Sequence, residues 1–391
     1  MGNILIIGAG GVGRVVAHKC AQHRDVFTDI CLASRTMEKS EAIAREIDAE
    51  VRTAVVDADE ANAVVELIRE RNVHVLINVA SPYQNLAIME ACAQTGVHYV
   101  DTSLDDERDR IKYDYADQWA FHERFQAAGA TGVLSIGFDP GVVNVYCAHA
   151  QKHLFDLIET IDIIDCNDGD HGYEFATNFD PETNIREILA DVITFEDGEF
   201  KTTKALESCR QFDFPGIGLR DAYLMTHEEV LSIAKFIPDV RNVRFWMTFT
   251  EKYLRHLRVL ENIGMTLIEP VVYEGREIVP LQFLKHLLPD PATLGPRTKG
   301  KTCIGCLFEG QKDGRPRKVL IYNNCQHETC YADVQSQAVS YTTGVPAVLT
   351  ARLILSGDWA IPGVYNPEQL DPDPFMNGIG RMGLPWKVRE E

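Results

Sequence analysis

The sequence contains no apolar run approaching the ~20 residues of a bilayer span, and no basic-then-apolar signal opens it, since Met1 leads almost directly into a strand-like segment. These absences argue against a membrane or exported protein and predict a cytoplasmic one. Basic charge is also scarce: 38 Lys and Arg stand against 58 Asp and Glu, a net charge of −20. A nucleic-acid partner wants a basic surface, so that class is excluded. A cationic small molecule remains compatible with the charge. There is no disulfide framework either. Ten cysteines are scattered over 391 residues, the pattern of buried thiols in a long intracellular chain. Cys303/Cys306 and Cys325/Cys330, with His327 between the latter two, have spacings suggestive of zinc. Yet "KTCIGCLFEG" and "RKVLIYNNC" read as a hairpin around "QKDGRP". Strand residues three apart point to opposite faces, so no metal site is expected there.

Hydrophobic residues make up 45% of the chain, enough for a sizeable core and two domains. From residue 3 to residue 139, short apolar strands alternate with helical segments six times. The strands include "DICLAS", "VRTAVVDA", "VHVLINVA", "VHYVDTS" and "TGVLSIGFD". Strands that are apolar without alternation are buried on both faces. The fold class is therefore α/β: a Rossmann doubly wound parallel sheet over 1–139. After residue 140 the pattern changes. "LIETIDIIDCN" and "NVRFWMTFT" read as strands, with helices at "ETNIREILADV", "THEEVLSIAKFI" and "LRHLRVLENIG". This predicts a second α/β domain over 140–339 with a mixed, mainly antiparallel sheet. A helix within "TTGVPAVLTARLILSGDW" then starts a return to the first domain over about 340–391.

Gly8-x-Gly10-x-x-Gly13 follows the first strand and opens a helix, with Gly11 and Val12 at the helix start. Gly8 permits the tight turn, Gly10 lets the backbone approach a pyrophosphate, and Gly13 allows close helix–strand packing. The helix N-terminus turns its partial positive charge toward the phosphates. At the end of the second strand, where NAD sites carry an acid for the ribose 2′-hydroxyl, stand Ser34 and Arg35. A hydroxyl and a planar cationic fork suit a 2′-phosphate, so the expected cofactor is NADPH/NADP. Asp57 ends the third strand and either touches adenine or caps the next helix. Asn78, Ala80, Ser81 and Tyr83 end the fourth strand and are placed near the nicotinamide half. Asp139, in "GFDPGVVN", reaches the same crevice or serves as a plain N-cap.

Taken together, "SPYQNLAIMEACAQTGVHYVDTS", "GFDPGVVN", "FDPETNIREI", "RFWMTFTEKYLRHLRVLENIGM", "LKHLLPDPATLGPRTKGKTCIGC" and "QAVSYTTGVPAV" resemble the saccharopine dehydrogenase-like family. The resemblance covers almost the whole chain. It implies an NADPH-dependent reductive condensation in polyamine biosynthesis, joining L-aspartate 4-semialdehyde to a diamine, 1,3-diaminopropane or putrescine. It also implies a homodimer formed through the second domain. The alternative within the family is a saccharopine-type reductase using another aldehyde and amino acid. Two further alternatives are aldehyde chemistry through a thiolate, for which Cys147 is the candidate, and a cofactor-sensing protein without catalysis.

The implied chemistry assigns roles to residues. A substrate carboxylate wants a bidentate cation, for which Arg186 is the first choice. His256 shares a helix face with Lys252 and offers a second carboxylate contact. The distal ammonium of a diamine wants acids, and Asp170 and Glu174 supply them in the loop "DCNDGDHGYEF". Proton transfer falls to Tyr83, His327 or Asp139.

Overall fold

In a computed structural model, residues 1–108 and 112–391 are described. The first six strands are β1 (Gly2–Ile7), β2 (Phe27–Ser34), β3 (Arg52–Val55), β4 (Val75–Asn78), β5 (His98–Asp101) and β6 (Thr131–Val133). They pair in parallel in the order β3-β2-β1-β4-β5-β6. Leu5 and Ile6 on β1 and Val75, Leu76 and Ile77 on β4 are fully buried without alternation, because helices cover both faces. The strand order reverses between β1 and β4, and a ligand crevice opens beyond the carboxyl ends of the strands at that point.

The second sheet is mixed. Its strands are β7 (Leu157–Asn167), β8 (Val192–Glu196), β9 (Glu199–Thr203), β10 (Cys209–Phe214), β11 (Gly218–Met225) and β12 (Asn242–Thr248). After a small hairpin of β13 (Val271–Tyr273) and β14 (Arg276–Ile278) come β15 (Lys301–Lys312) and β16 (Arg315–Gln326). β7 and β12 pair in parallel, and the remaining neighbours are antiparallel. The run β8–β11 was not foreseen. β9 is polar and exposed along its length, so it carries no apolar period from which a strand could be read.

The last fifty residues divide between the sheets. The helix Ala338–Ser356 packs tightly on the helix Gly11–Gln22: a Cβ on Gly344 would lie 2.8 Å from the Val15 side chain. β17 (Gly363–Tyr365) extends the first sheet beside β6, as the expected return requires. β18 (Trp386–Glu390), by contrast, pairs with β16 at the edge of the second sheet. Contrary to the reading of apolar runs, Ala338–Ser356 is long and apolar enough to cross a membrane, with a hydropathy of 1.3, but 78% of its apolar window is buried inside the protein. Cys303 and Cys306 face opposite sides of β15, one packed with Cys166 and the other in the core that holds Cys147.

Candidate active site

A cavity of about 1020 Å³ lies between the two sheets. Its first half is built by the glycine turn. Gly8 has φ +117°, and a Cβ there would lie 2.4 Å from the Val79 carbonyl oxygen. A Cβ on Gly13 would lie 1.9 Å from the Gly8 oxygen, so helix and strand touch backbone to backbone. A Cβ on Gly10 would meet only open space. The N-terminus of the Gly11–Gln22 helix, without a side-chain cap, is free to receive an anion. Gly8, Gly10, Gly11, Val12, Ser34, Arg35, Ala80 and Ser81 all line this half. So does Lys39, one turn into the helix Met37–Glu46, which the sequence reading passed over. Ser34 is engaged with the Thr36 carbonyl at 2.8 Å and the Ser40 hydroxyl at 2.9 Å, shaping the loop that carries Arg35. An open glycine cradle, an uncapped helix end and two cations at the close of β2 fit a 2′-phosphorylated dinucleotide.

Three expected cofactor residues act from behind this surface. Gly13 is the packing contact. Asn78 is buried and braces the turn, accepting from the Ala80 backbone N–H at 3.1 Å and donating to Asn85 at 2.8 Å. Asp57 is exposed, and its carboxylate accepts from the Asp59 N–H at 3.2 Å; its neighbours Val56 and Ala58 reach the cavity instead.

The second half is floored by one face of the second sheet. Asp165 and Asn167 of β7 stand opposite Ile304 and Thr302 of β15, with Met247 of β12 alongside. Asp139, Glu187, His227 and Glu228 close in from the surrounding segments. Burial pushes the Asp139 carboxyl well above the usual range, with Asp165 adding to the shift. Burial likewise raises Asp165 and Glu187 to about 7, and Glu228 to about 8. For His227, burial alone would lower the pKa, but its hydrogen-bonded partner Glu229 and then Glu187 and Asp139 raise it to about 10. Asp139 Oδ2, Asp165 Oδ1 and Thr302 Oγ1 are buried on this wall without a hydrogen-bond partner among the described residues. Orphaned acceptors cost ~1–3 kcal/mol each, so a wall holding several is built for a donor-rich ligand.

Of the expected substrate and proton-transfer residues, Asp139 stands on the wall; the others lie off it. Tyr83 turns away, accepting from Arg186 at 2.7 Å and donating to Glu182 at 3.2 Å, and burial and Glu182 raise its hydroxyl pKa. Arg186 is 5% exposed, ion-paired with Asp106 at 3.0 Å and donating to the Glu107 carbonyl at 2.8 Å. Asp170 and Glu174 are exposed on the outer loop, where Asp170 accepts from the Gly172 N–H and Glu174 pairs with Lys252 at 3.2 Å. His256 bonds the Lys252 carbonyl at 2.8 Å and faces Phe175. His327 is fully buried, and burial lowers its pKa to about 4. One ring nitrogen accepts from the Ala338 N–H at 3.1 Å while the other meets Asn167 Oδ1 at 3.0 Å. It is a neutral brace rather than a proton carrier. Cys147 is likewise buried in the core and offers no thiolate to the cavity.

The acids that converge with Asp139 were overlooked. Asp165 interrupts the apolar run "IDIIDCN", and Glu228 and Glu229 follow His227 in "THEEVL". Charged residues inside apolar stretches are the signal that could have found them.

Comparison with known proteins agrees with this geometry. Residues 4–133 match the saccharopine dehydrogenase NADP binding domain, and residues 137–384 match the saccharopine dehydrogenase C-terminal domain. The chain belongs to the saccharopine dehydrogenase family. Carboxyaminopropylagmatine dehydrogenase of Synechocystis sp. is 51% identical over 387 residues, covering 99% of this chain and 97% of that one. Carboxynorspermidine synthase of Vibrio alginolyticus is 47% identical and that of Vibrio cholerae 46%, at the same coverage. Apo saccharopine dehydrogenase (L-Glu forming) from Saccharomyces cerevisiae shares the fold over 100% of both chains, with a TM-score of 0.75 at 15% identity. As a member of this family the chain is an NADP-dependent oxidoreductase acting on a CH–NH bond.

Proposed function

We propose that this saccharopine dehydrogenase family member condenses L-aspartate 4-semialdehyde with an aliphatic amine bearing a second cation and reduces the resulting imine with NADPH, in polyamine biosynthesis. The observation that carries the reading is the acid-lined wall of Asp139, Asp165, Glu187 and Glu228, with its orphaned acceptors. An ammonium has three donors and a positive charge, and the unpartnered carboxyl oxygens of this wall can take both. The relatives' names place norspermidine and agmatine skeletons among their products. 1,3-Diaminopropane, putrescine and agmatine are therefore the amines to compare.

The overall change is R–NH3+ + R′–CHO + NADPH + H+ → R–NH2+–CH2–R′ + H2O + NADP+. The amine must first lose a proton, and alkyl ammonium pKa values lie near ~10. Asp139 and Asp165, neighbours on this wall, accept that proton when one of them is ionised. The same pair returns a proton to the hydroxyl of the carbinolamine, which leaves as water. NADPH, when bound in the first half of the cavity, supplies the hydride for the imine carbon. His227, held as a cation by Glu229, balances the charge of the remaining carboxylates. Lys285 projects into the cavity from the helix Pro280–Leu287, ion-paired with Asp180 at 2.6 Å, and takes the role first given to Arg186 of meeting the aldehyde's carboxylate.

A saccharopine-type reaction with glutamate is the second reading, and the same wall weighs against it because a dicarboxylate would face several buried acids. On the favoured reading residues 1–139 hold the cofactor, with the helix Ala338–Ser356 and β17 returning to them while β18 joins the second sheet, and 140–339 hold substrate. The enzyme is a homodimer, a state supported by the exposed Val259, Ile263, Val272, Tyr273, Phe283 and Leu287. The test follows loss of reduced-nicotinamide absorbance with NADPH, L-aspartate 4-semialdehyde and each amine in turn. One of the three cationic amines should dominate. Faster turnover with glutamate would overturn the assignment.

A further inference from the structure

We propose that His149, His153 and Asp373 form a binding site for a borderline divalent metal such as Zn2+, apart from the active site and independent of its chemistry. His149 ends the helix Val142–His149, His153 lies in the following turn Ala150–Leu154, and Asp373 is in the first turn of the helix Pro372–Ile379. One ligand atom from each lies within 4.8 Å of the other two. The two imidazoles are four residues apart on one face, with ring centroids 4.8 Å apart. Two nitrogens and one carboxylate oxygen suit Zn2+ or Co2+ rather than Ca2+ or Mg2+, with water in the fourth position. Zinc bonds of about 2.0–2.1 Å require the ligands to draw closer. His153 and Asp373 are 40% and 37% exposed in their side chains and have room to rotate.

The simpler explanation is ion pairing between two helix ends. His153 Nε2 lies 2.6 Å from Asp373 Oδ1, and Lys152 Nζ bridges Asp373 at 2.8 Å and Asp371 at 2.6 Å. Helix dipoles favour cations and anions at these ends. That account covers Lys152, His153 and Asp373 but leaves His149 without a role. His149 Nδ1 is buried with no hydrogen-bond partner among the described residues, and the ring is held edge-on to Trp386 at 5.2 Å. Lys152 retains Asp371 when Asp373 turns to the metal. The bound ion would fasten the segment after β6 to the C-terminal stretch that passes from one sheet to the other.

The test uses the full-length enzyme, stripped with a chelator and dialysed, then titrated with Zn2+ and with Co2+. Expected are one ion per chain, visible ligand-field bands of low-coordinate Co2+ without a thiolate charge-transfer band, and a higher Tm with Zn2+. H153A and D373N should each weaken binding at least about tenfold while leaving circular dichroism and turnover unchanged. Absence of binding, affinity in either variant equal to that of the natural enzyme, or thiolate bands placing the ion on cysteines would each overturn the proposal.

Discussion

Burial and then the neighbouring Asp165 raise the Asp139 carboxyl on the cavity wall, although Asp139 follows the last strand of the first sheet's core and Asp165 sits in the middle of the second sheet. Two carboxyls this close and this enclosed do not both ionise readily, so they titrate as a pair. D165N keeps the shape and removes one of the two titrating carboxyls. Turnover should fall by about 10²–10⁴, with NADPH affinity unchanged. A kcat within a few-fold of the natural enzyme would remove the pair from the proton path.

Stability should depend on pH in one direction above neutrality. Glu187 and Glu228 are raised to about 7 and 8 from a usual 4.5, and His227 to about 10 from 6.5. Each binds more protons folded than unfolded over its interval, so the slope of stability against pH is negative there. His327, lowered to about 4, works the other way, as do the lowered His18, His23, His98 and His171, until about a pH unit above the ordinary value of 6.5. The window from about 7.5 to about 10 is therefore the clean one. Tm measured across it should fall, and a saturating diamine should flatten the slope by supplying the missing cation. A rising Tm over the same range would contradict the buried acids.

His327 tests the difference between a proton carrier and a brace. Its two hydrogen bonds join the floor residue Asn167 to the start of the Ala338–Ser356 helix. Losing a buried bond costs ~1–3 kcal/mol. H327A should thus lower Tm by several degrees and reduce kcat through Asn167, without moving the apparent pKa of the kcat profile. H327Q should recover part of the loss. A displaced pKa would return His327 to the proton path.

These tests also mark where sequence reading stops. The first sheet was legible because its six strands and the Gly8–Gly13 turn are local patterns with a fixed period. Arg35 was legible because it stands at a defined strand end. The acid-lined wall was not, because it gathers Asp139, Asp165, Glu187 and Glu228 from segments far apart in the chain, and no spacing records their convergence. The outer loop with Asp170 and Glu174 drew the amine role because its acids are adjacent in sequence. Local density of charge marks a solvated turn at least as well as a site. Arg186 was similarly misleading: an arginine near a carboxylate site can serve the protein's own acids, here Asp106 and Glu182.

Cofactor choice offers the sharpest separation of contributions. Arg35 and Lys39 both line the cavity where β2 ends, one on the loop and one a turn into the following helix. A charge-assisted contact to a phosphate contributes ~1.5–3 kcal/mol, or about 10- to 150-fold. R35A should raise the KM for NADPH by that order and leave NADH kinetics almost unchanged, since NADH carries no 2′-phosphate. K39A should do the same more weakly, because an ammonium is a point charge without the planar fork. R35D adds repulsion to the loss and should invert the preference toward NADH. If R35A alters NADPH and NADH equally, the side chain orders the loop rather than reading the phosphate. If K39A has the larger effect, the helix supplies the main cation.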